Sequence, residues 1–326
     1  MVKSLTAKRE SFALRQRFAI SRGSKTSADV ISVELSDGQF TGRGECVPYA
    51  RYGESMDSVL DAINSVQSTL NRLSRQSLLK MLPAGAARNA IDCALWDLEA
   101  HRQGCRAWEL AGIERPQAMI TAYTLSLDTP EVMHQAAVDH AARPLLKLKL
   151  AGEGDLERVA AVRQGAPDAT IIVDANEGWT LAQYNKMVPL LLDLGVSMIE
   201  QPLPADSHAV LASVDKPITL CADESCHDTA TLAGLAGLYD MVNIKLDKTG
   251  GLTEALVLRA QALDSGFEIM VGCMVATSLA MAPATLVASG ASVVDLDGPL
   301  LLAEDREWPL DYADFSVAAP DSRLWG

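Results

Sequence analysis

The feature that most restricts the fold of this chain is a repeat. From about residue 118 onward, short apolar runs end near Thr124, Lys149, Asp174, Glu200, Asp223, Lys245, Gly272 and Asp295. Successive ends lie 25, 25, 26, 23, 22, 27 and 23 residues apart, and a helical pattern follows each run. A strand, its crossover helix and the return fill about this length, so alternation at this spacing predicts parallel strands. Eight such runs predict an eight-stranded α/β barrel, whose active-site mouth is built from the C-terminal ends of the strands. The ionisable residues fall at those run ends.

The remaining length asks for an appendage. At 326 residues the chain is long enough for a barrel and a second unit. Its first ~110 residues read as mixed. Residues 29–35 (DVISVEL) predict a strand, Asp37-Gly38 a turn, and residues 39–45 its hairpin partner. Helical patterns cover 55–73 and 86–101, and Gly104 stops the second. Residues 110–116 (LAGIERP) mark a junction, and the last ~25 residues are expected to pack back on the N-terminal unit. The expected organisation is therefore 1–113, 114–302 and 303–326. Residues 269–294 carry no charged side chain, but their Gly, Pro, Ser and Thr content favours a buried strand and an Ala-rich helix over a membrane span.

A net charge of −14 argues against nucleic acid or an anionic membrane as partner. Six scattered cysteines without a C-x-x-C pair suit a reducing cytosol, and the first residues lack an apolar signal core, so a cytoplasmic location is expected.

Three carboxylates end consecutive strands: Asp174 in IIVDAN, Glu200 in SMIEQP and Asp223 in LCADES. Adjacent strand ends lie about 5 Å apart. Three carboxylates that close repel one another unless a cation sits between them, and an all-oxygen set suits a hard divalent ion such as Mg²⁺. Single aspartates after strands are often mere helix caps; three in series are not explained that way. Lys147 and Lys149 in LLKLKL alternate onto one strand face, and Lys245 ends the sixth strand on the opposite wall. Desolvation is expected to lower the pKa of such lysines toward use as bases. Two lysines facing each other across a metal suit proton removal from one face of a carbon and return to the other. The metal would stabilise the enediolate formed beside a carboxylate. Asp295 and Asp297 share a face at the eighth run end, where two carboxylates would hold a substrate ammonium.

Together these residues resemble the enolase superfamily in its muconate lactonizing enzyme-like subgroup, and within it the dipeptide epimerases. The motifs carrying the resemblance are GECVPYARYGES, PAGAARNAIDCALWDL, KLK, DAN, EQPLP, ADES, NIKLDKTGG and DLDGP, which span essentially the whole chain. The resemblance implies a modified TIM (β/α)7β-type barrel with an α+β capping domain formed from both termini. It implies Asp174, Glu200 and Asp223 as Mg²⁺ ligands and Lys149 and Lys245 as the two acid/base groups, with Lys147 assisting and depressing the pKa of Lys149. It implies Asp295 and Asp297 as the ammonium site and Arg22 in ISRGS as a clamp for a glutamate side chain. The implied reaction is epimerisation of the C-terminal residue of L-Ala-D/L-Glu and related dipeptides, in murein-peptide recycling. The implied partner is a small dipeptide, with a homo-oligomer left open.

The competing readings are N-acylamino acid racemisation or o-succinylbenzoate synthesis on the same scaffold, a dipeptide epimerase of other side-chain preference, and a silent binding barrel. The first two substrates lack an ammonium, which Asp295 and Asp297 call for; a silent barrel has no use for opposed lysines. Arg51 and Tyr52 are candidate lid contacts, and Asn176 and Glu224 candidate supports of the metal ligands. His227, Asp92, Asp97 and Gly250-Gly251 are expected to serve packing and turning.

Overall fold

The computed structural model describes all residues, 1–326. Its first 113 residues begin with a three-stranded antiparallel sheet: β1 (Ser4–Ile20), β2 (Gly23–Ser36) and β3 (Thr41–Cys46), in the order β1-β2-β3. The hairpin of β2 and β3 was legible from its turn, but β1 was not. It carries charged side chains at Lys8, Arg9, Glu10, Arg15 and Arg17, and only Leu5, Leu14 and Ala19 within it are buried, so apolar alternation is missing. The expected helix over 55–73 divides into an α-helix, Met56–Ser65, and a 3-10 segment, Val66–Arg72. Ser55 caps the first part, its side chain accepting from the Ser58 amide. The helix Ala86–Gln103 ends at Gly104 in the left-handed conformation. It lies against the sheet, so that Ile91, Leu95 and Leu98 close an apolar core with Ile31, Val33 and Leu35.

A short strand β4 (Met119–Ile120) precedes the repeat. The barrel strands are β5 (Tyr123–Leu125), β6 (Leu145–Lys149), β7 (Thr170–Asp174), β8 (Val196–Glu200), β9 (Thr219–Ala222), β10 (Met241–Ile244), β11 (Glu268–Gly272) and β12 (Val293–Asp295). They pair in parallel in sequence order. The Ala122 amide donates to the Val294 carbonyl (2.8 Å), joining the first strand to the last. Each strand ends within one residue of the position expected from the repeat. The crossovers depart from expectation in two places: β8 to β9 and β9 to β10 carry only 3-10 turns, His208–Ser213 and Leu232–Leu235. Residues 269–294 form β11, a loop, the buried helix Ser278–Ala288 and the start of β12. No helix is long and apolar enough to cross a membrane.

The chain end returns to the N-terminal unit. β13 (Ser316–Val317) pairs with β4. Trp325, fully buried, donates its indole N–H to the Cys93 carbonyl (3.0 Å), and the Gly326 amide donates to Asp97 (2.6 Å).

Candidate active site

Strand alternation delivers Lys147 and Lys149 to the barrel interior, while Leu146, Leu148 and Leu150 pack outward beneath the helices. In register, Lys149 stands beside Asp174, and Asp174 beside Glu200. The sequence expectation of a carboxylate triad is met: oxygens of Asp174, Glu200 and Asp223 lie within 4.8 Å of one another, and all three residues are buried. Three hard anionic donors at this spacing fit a divalent cation. Lys147 Nζ, 2.6 Å from Glu200 Oε2, is the cation that meets this oxygen from the chain itself.

The lysines engage this triad from both walls. Lys149 Nζ lies 2.5 Å from Asp174 Oδ2. Lys245 Nζ lies 2.6 Å from Asp223 Oδ2 and 3.9 Å from Glu200 Oε1. Lys147 Nζ lies 2.6 Å from Glu200 Oε2, 2.6 Å from Asp295 Oδ2 and 3.4 Å from Asp174 Oδ2. Burial on its own would depress the lysine pKa values, but Asp295, Glu200 and Asp174 hold Lys147 well above the usual range, and Asp223 and Glu200 do the same for Lys245. The carboxylates answer in kind. Burial pushes Asp174 up, yet Lys149 and Lys147 bring it down to about 2. Glu200 is pushed up to about 7 by burial and by Asp174.

Supports surround the triad. Asn243 donates to Glu200 Oε1 (2.7 Å), and the Asn176 amide donates to Asp174 Oδ1 (2.9 Å). Gln201 accepts from the Asp223 amide (2.9 Å), tying the ends of β8 and β9. Asn176, Glu177 and Gln201, just past Asp174 and Glu200, have φ of 45°, 64° and 37°. Strain of this kind clusters at functional sites. Lys248 was missed from sequence. It is buried and donates to Asp223 Oδ1 (2.6 Å), to the Asp223 carbonyl (2.6 Å) and to the Asn243 carbonyl (2.8 Å). Its signal was a lysine one helical turn after Lys245.

A cavity of about 550 Å³ opens over the mouth, lined by Lys149, Lys245, Asp223, Asp295 and Asp297 from the barrel and by Arg22, Lys25, Tyr49 and Tyr52 from the cap. Asp297 Oδ2 accepts from the Thr124 amide (2.6 Å); burial and the neighbouring Asp295 raise its pKa to about 7. Arg22, at the β1–β2 turn, is already engaged. It donates to Glu224 Oε1 (2.6 Å), the Asn176 carbonyl (2.7 Å) and the Tyr49 hydroxyl (3.1 Å). Arg51 forms a two-bond pair with Glu177, both bonds 2.8 Å, and Tyr52 packs edge-on against His227 at 4.7 Å. Lys25 lines the same cavity, and its ammonium makes no ion pair or hydrogen bond with the chain. Burial and the nearby Lys149 lower its pKa, against the pull of Asp29 and Cys273.

Residues 4–112 match the mandelate racemase / muconate lactonizing enzyme N-terminal domain, and residues 131–323 match the enolase C-terminal domain-like family. The chain belongs to the enolase superfamily. This superfamily member is 49% identical to L-Ala-D/L-Glu epimerase of Escherichia coli K12, over 93% of this chain and 95% of that one. It is 46% identical to N-acetyl-D-glutamate racemase of a Pseudoalteromonas species, over 91% and 95%. It also resembles a crystal structure of an enolase family member from Agrobacterium tumefaciens with homology to dipeptide epimerases, bound to sodium and L-Ala-L-Glu. The identity there is 52%, with 99% of both chains covered and a TM-score of 0.97. The barrel with an antiparallel cap is the fold of this superfamily, as expected from the motifs.

Proposed function

We propose that this superfamily member is a Mg²⁺-dependent epimerase that inverts the α-carbon of the C-terminal residue of L-Ala-D/L-Glu and related dipeptides. The observation that carries the reading is the placement of Lys149 and Lys245, each against a different carboxylate of the triad, on opposite walls of one cavity. A neutral lysine on one wall takes the α-proton, breaking the C–H bond. The ammonium on the other wall delivers a proton to the opposite face, forming the new C–H bond. Asp174, Glu200 and Asp223 would hold the Mg²⁺, which when bound supplies Lewis-acid stabilisation for the charge that builds on the substrate carboxylate. Lys147, bridging Glu200 and Asp295, assists by fixing both carboxylates.

Asp295 and Asp297 bind the dipeptide ammonium; Asp295 Oδ1 is buried without a donor of its own, which suits it to this. For the side-chain carboxylate, Arg22 was the expected clamp, but its guanidinium is bound to Glu224, Tyr49 and Asn176. Lys25 is the free cation of the cavity and takes this role, with Arg22 flanking it. A cytoplasmic enzyme of murein-peptide recycling fits the six free cysteines.

The 46% identical N-acetyl-D-glutamate racemase favours a second reading, in which the amine is acylated and the glutamate end is unchanged. Proton NMR in D₂O with Mg²⁺ separates the two. L-Ala-L-Glu is expected to lose its Glu α-proton signal and to yield the L,D diastereomer, with EDTA stopping both. Exchange on N-acetyl-L-glutamate in its place would establish the second reading. Exchange on neither would overturn both.

A further inference from the structure

Buried polar atoms without partners are rare in folded proteins, and each calls for an explanation. Four such atoms belong to the barrel mouth: Asn176 Oδ1, Glu224 Oε2, Asn243 Oδ1 and Asp295 Oδ1. Two of them share a corner of the cavity. Asn176 and Glu224 both line it, are 5% and 3% exposed, and lie two residues past Asp174 and one past Asp223. Asn176 Nδ2 reaches Glu224 Oε1 at 3.4 Å, and Arg22 takes that same oxygen at 2.6 Å. The remaining oxygen of each side chain meets no donor from the chain. Asn176 is held at φ 45°, a conformation that costs free energy and is kept only where the surroundings demand it.

An acceptor pair of this kind needs a donor supplied from outside the chain. Mg²⁺ demands near-octahedral coordination and gives up its waters reluctantly. Three protein carboxylates leave positions that water or substrate must fill, and a water polarised by a divalent cation is a strong donor. We infer that Asn176 Oδ1 and Glu224 Oε2 form an outer acceptor pair for the waters of the divalent cation, so that these two residues, beyond the three carboxylates, set cation affinity. The inference rests on the triad binding a cation, as proposed above.

The test is calorimetric titration of Mn²⁺ into the full-length protein after EDTA treatment, without substrate. Groups behind metal ligands typically change affinity by 10–100-fold when removed. Glu224→Gln removes charge and weakens the acceptor, and Asn176→Gly removes the acceptor while keeping a residue that tolerates positive φ. Each is expected to weaken Mn²⁺ binding by about 10–100-fold, with an unfolding midpoint confirming the fold. Arg22→Met breaks the same ion pair from the cap side and spares both acceptors; its Mn²⁺ affinity is expected to stay within about threefold of wild type, or ~0.65 kcal/mol. Wild-type affinity in both Glu224→Gln and Asn176→Gly would overturn the inference. So would an equal loss in Arg22→Met, which would make the effect one of cap docking. Failure of the wild-type protein itself to bind Mn²⁺ would overturn the metal reading and this inference with it.

Discussion

Behind Lys245 the cap meets the barrel through a buried helix; above Asn176 and Glu177 it meets it through arginines that water reaches. In the helix Ala86–Gln103, Arg88, Asn89, Asp92 and Trp96 fall on one face and bind the segment that follows Lys245. Arg88 donates to the carbonyls of Gly250 (3.0 Å) and Thr249 (2.6 Å), and Asn89 donates to Asp247 (2.8 Å). Asp92 accepts from the Thr253 amide and hydroxyl at 2.8 and 2.6 Å, and Trp96 donates to that hydroxyl at 2.9 Å. Gly250 and Gly251, at φ 72° and 115°, permit this approach, since a Cβ there would meet Arg88 and Asp92 at 2.4 and 2.5 Å. At the rim, the side chains of Arg22 and Arg51 are 28% and 39% exposed. The contrast assigns the two contacts different work. The buried one fixes the wall that carries Lys245. The rim contact can break and re-form at modest cost, as a mouth that admits substrate requires.

The largest expected effect tests the walls themselves. Lys149→Ala and Lys245→Ala should each abolish epimerisation, by about 10²–10⁴-fold or more. Each is expected to retain solvent exchange of the α-proton of one epimer only, the opposite one in the other variant. Deuterium incorporation from D₂O reads this. Unchanged turnover in either would refute the two-base scheme.

Next comes the anchor. Arg88→Ala strips donors from the carbonyls of Gly250, Thr249 and Leu82 and empties a buried site, and should cost about 3 kcal/mol in urea unfolding. The Mg²⁺-saturated kcat should fall as well, because the Lys245 wall loses its backing. A loss below about 1 kcal/mol, the scale of an exposed ion pair, would make this contact no stronger than the rim.

Selectivity should follow Lys25. Lys25→Met is expected to lower kcat/KM for L-Ala-L-Glu by about 10–100-fold, the scale of a lost charged hydrogen bond, and to leave L-Ala-L-Leu nearly unchanged. Arg22→Met, which opens the rim, should affect both dipeptides alike. A selective loss in Arg22→Met would restore Arg22 as the clamp. The pH dependence should divide substrates in a related way. Asp297, raised to about 7 by burial and Asp295, becomes neutral below that pH and gives up its attraction for an ammonium. KM for L-Ala-L-Glu should therefore rise as pH falls through 7, by up to about tenfold per unit. N-acetylglutamate, with no ammonium, should show no such rise.

The barrel and the placement of its ionisable residues were legible because they repeat. The triad carboxylates and the lysines sit at run ends, and a strand period of two puts Lys147 and Lys149 on one face whatever surrounds them. The cap contribution was harder to read. Lys25 lies in a strand that pairs with β1, and β1 is amphiphilic in neither period, so nothing in the chain near residue 25 announced a cavity wall. The motif around Arg22 points to a clamp for a glutamate side chain, but its partners Glu224 and Asn176 lie more than 150 residues away. The carboxylate beside Lys147 is hidden for the same reason: burial can be guessed from a strand, but Asp295 comes from the far edge of a closing barrel.

The smallest expected effect is also the sharpest test of the contrast. Glu177 accepts two bonds from Arg51, one from the Ala205 amide (2.9 Å) and a longer one from Arg22 (3.3 Å). Its carboxyl is pushed up by burial but brought below its ordinary value mainly by Arg51. Arg51→Ala leaves Glu177 two partners, and the pair it breaks is partly solvated, so stability should change by less than about 1 kcal/mol. KM for the dipeptide should rise about two- to fivefold, under ~1 kcal/mol, with kcat nearly unchanged, because only the rim is loosened. If Arg51→Ala costs as much in urea unfolding as Arg88→Ala, the rim is an anchor too, and substrate entry must then use a different opening.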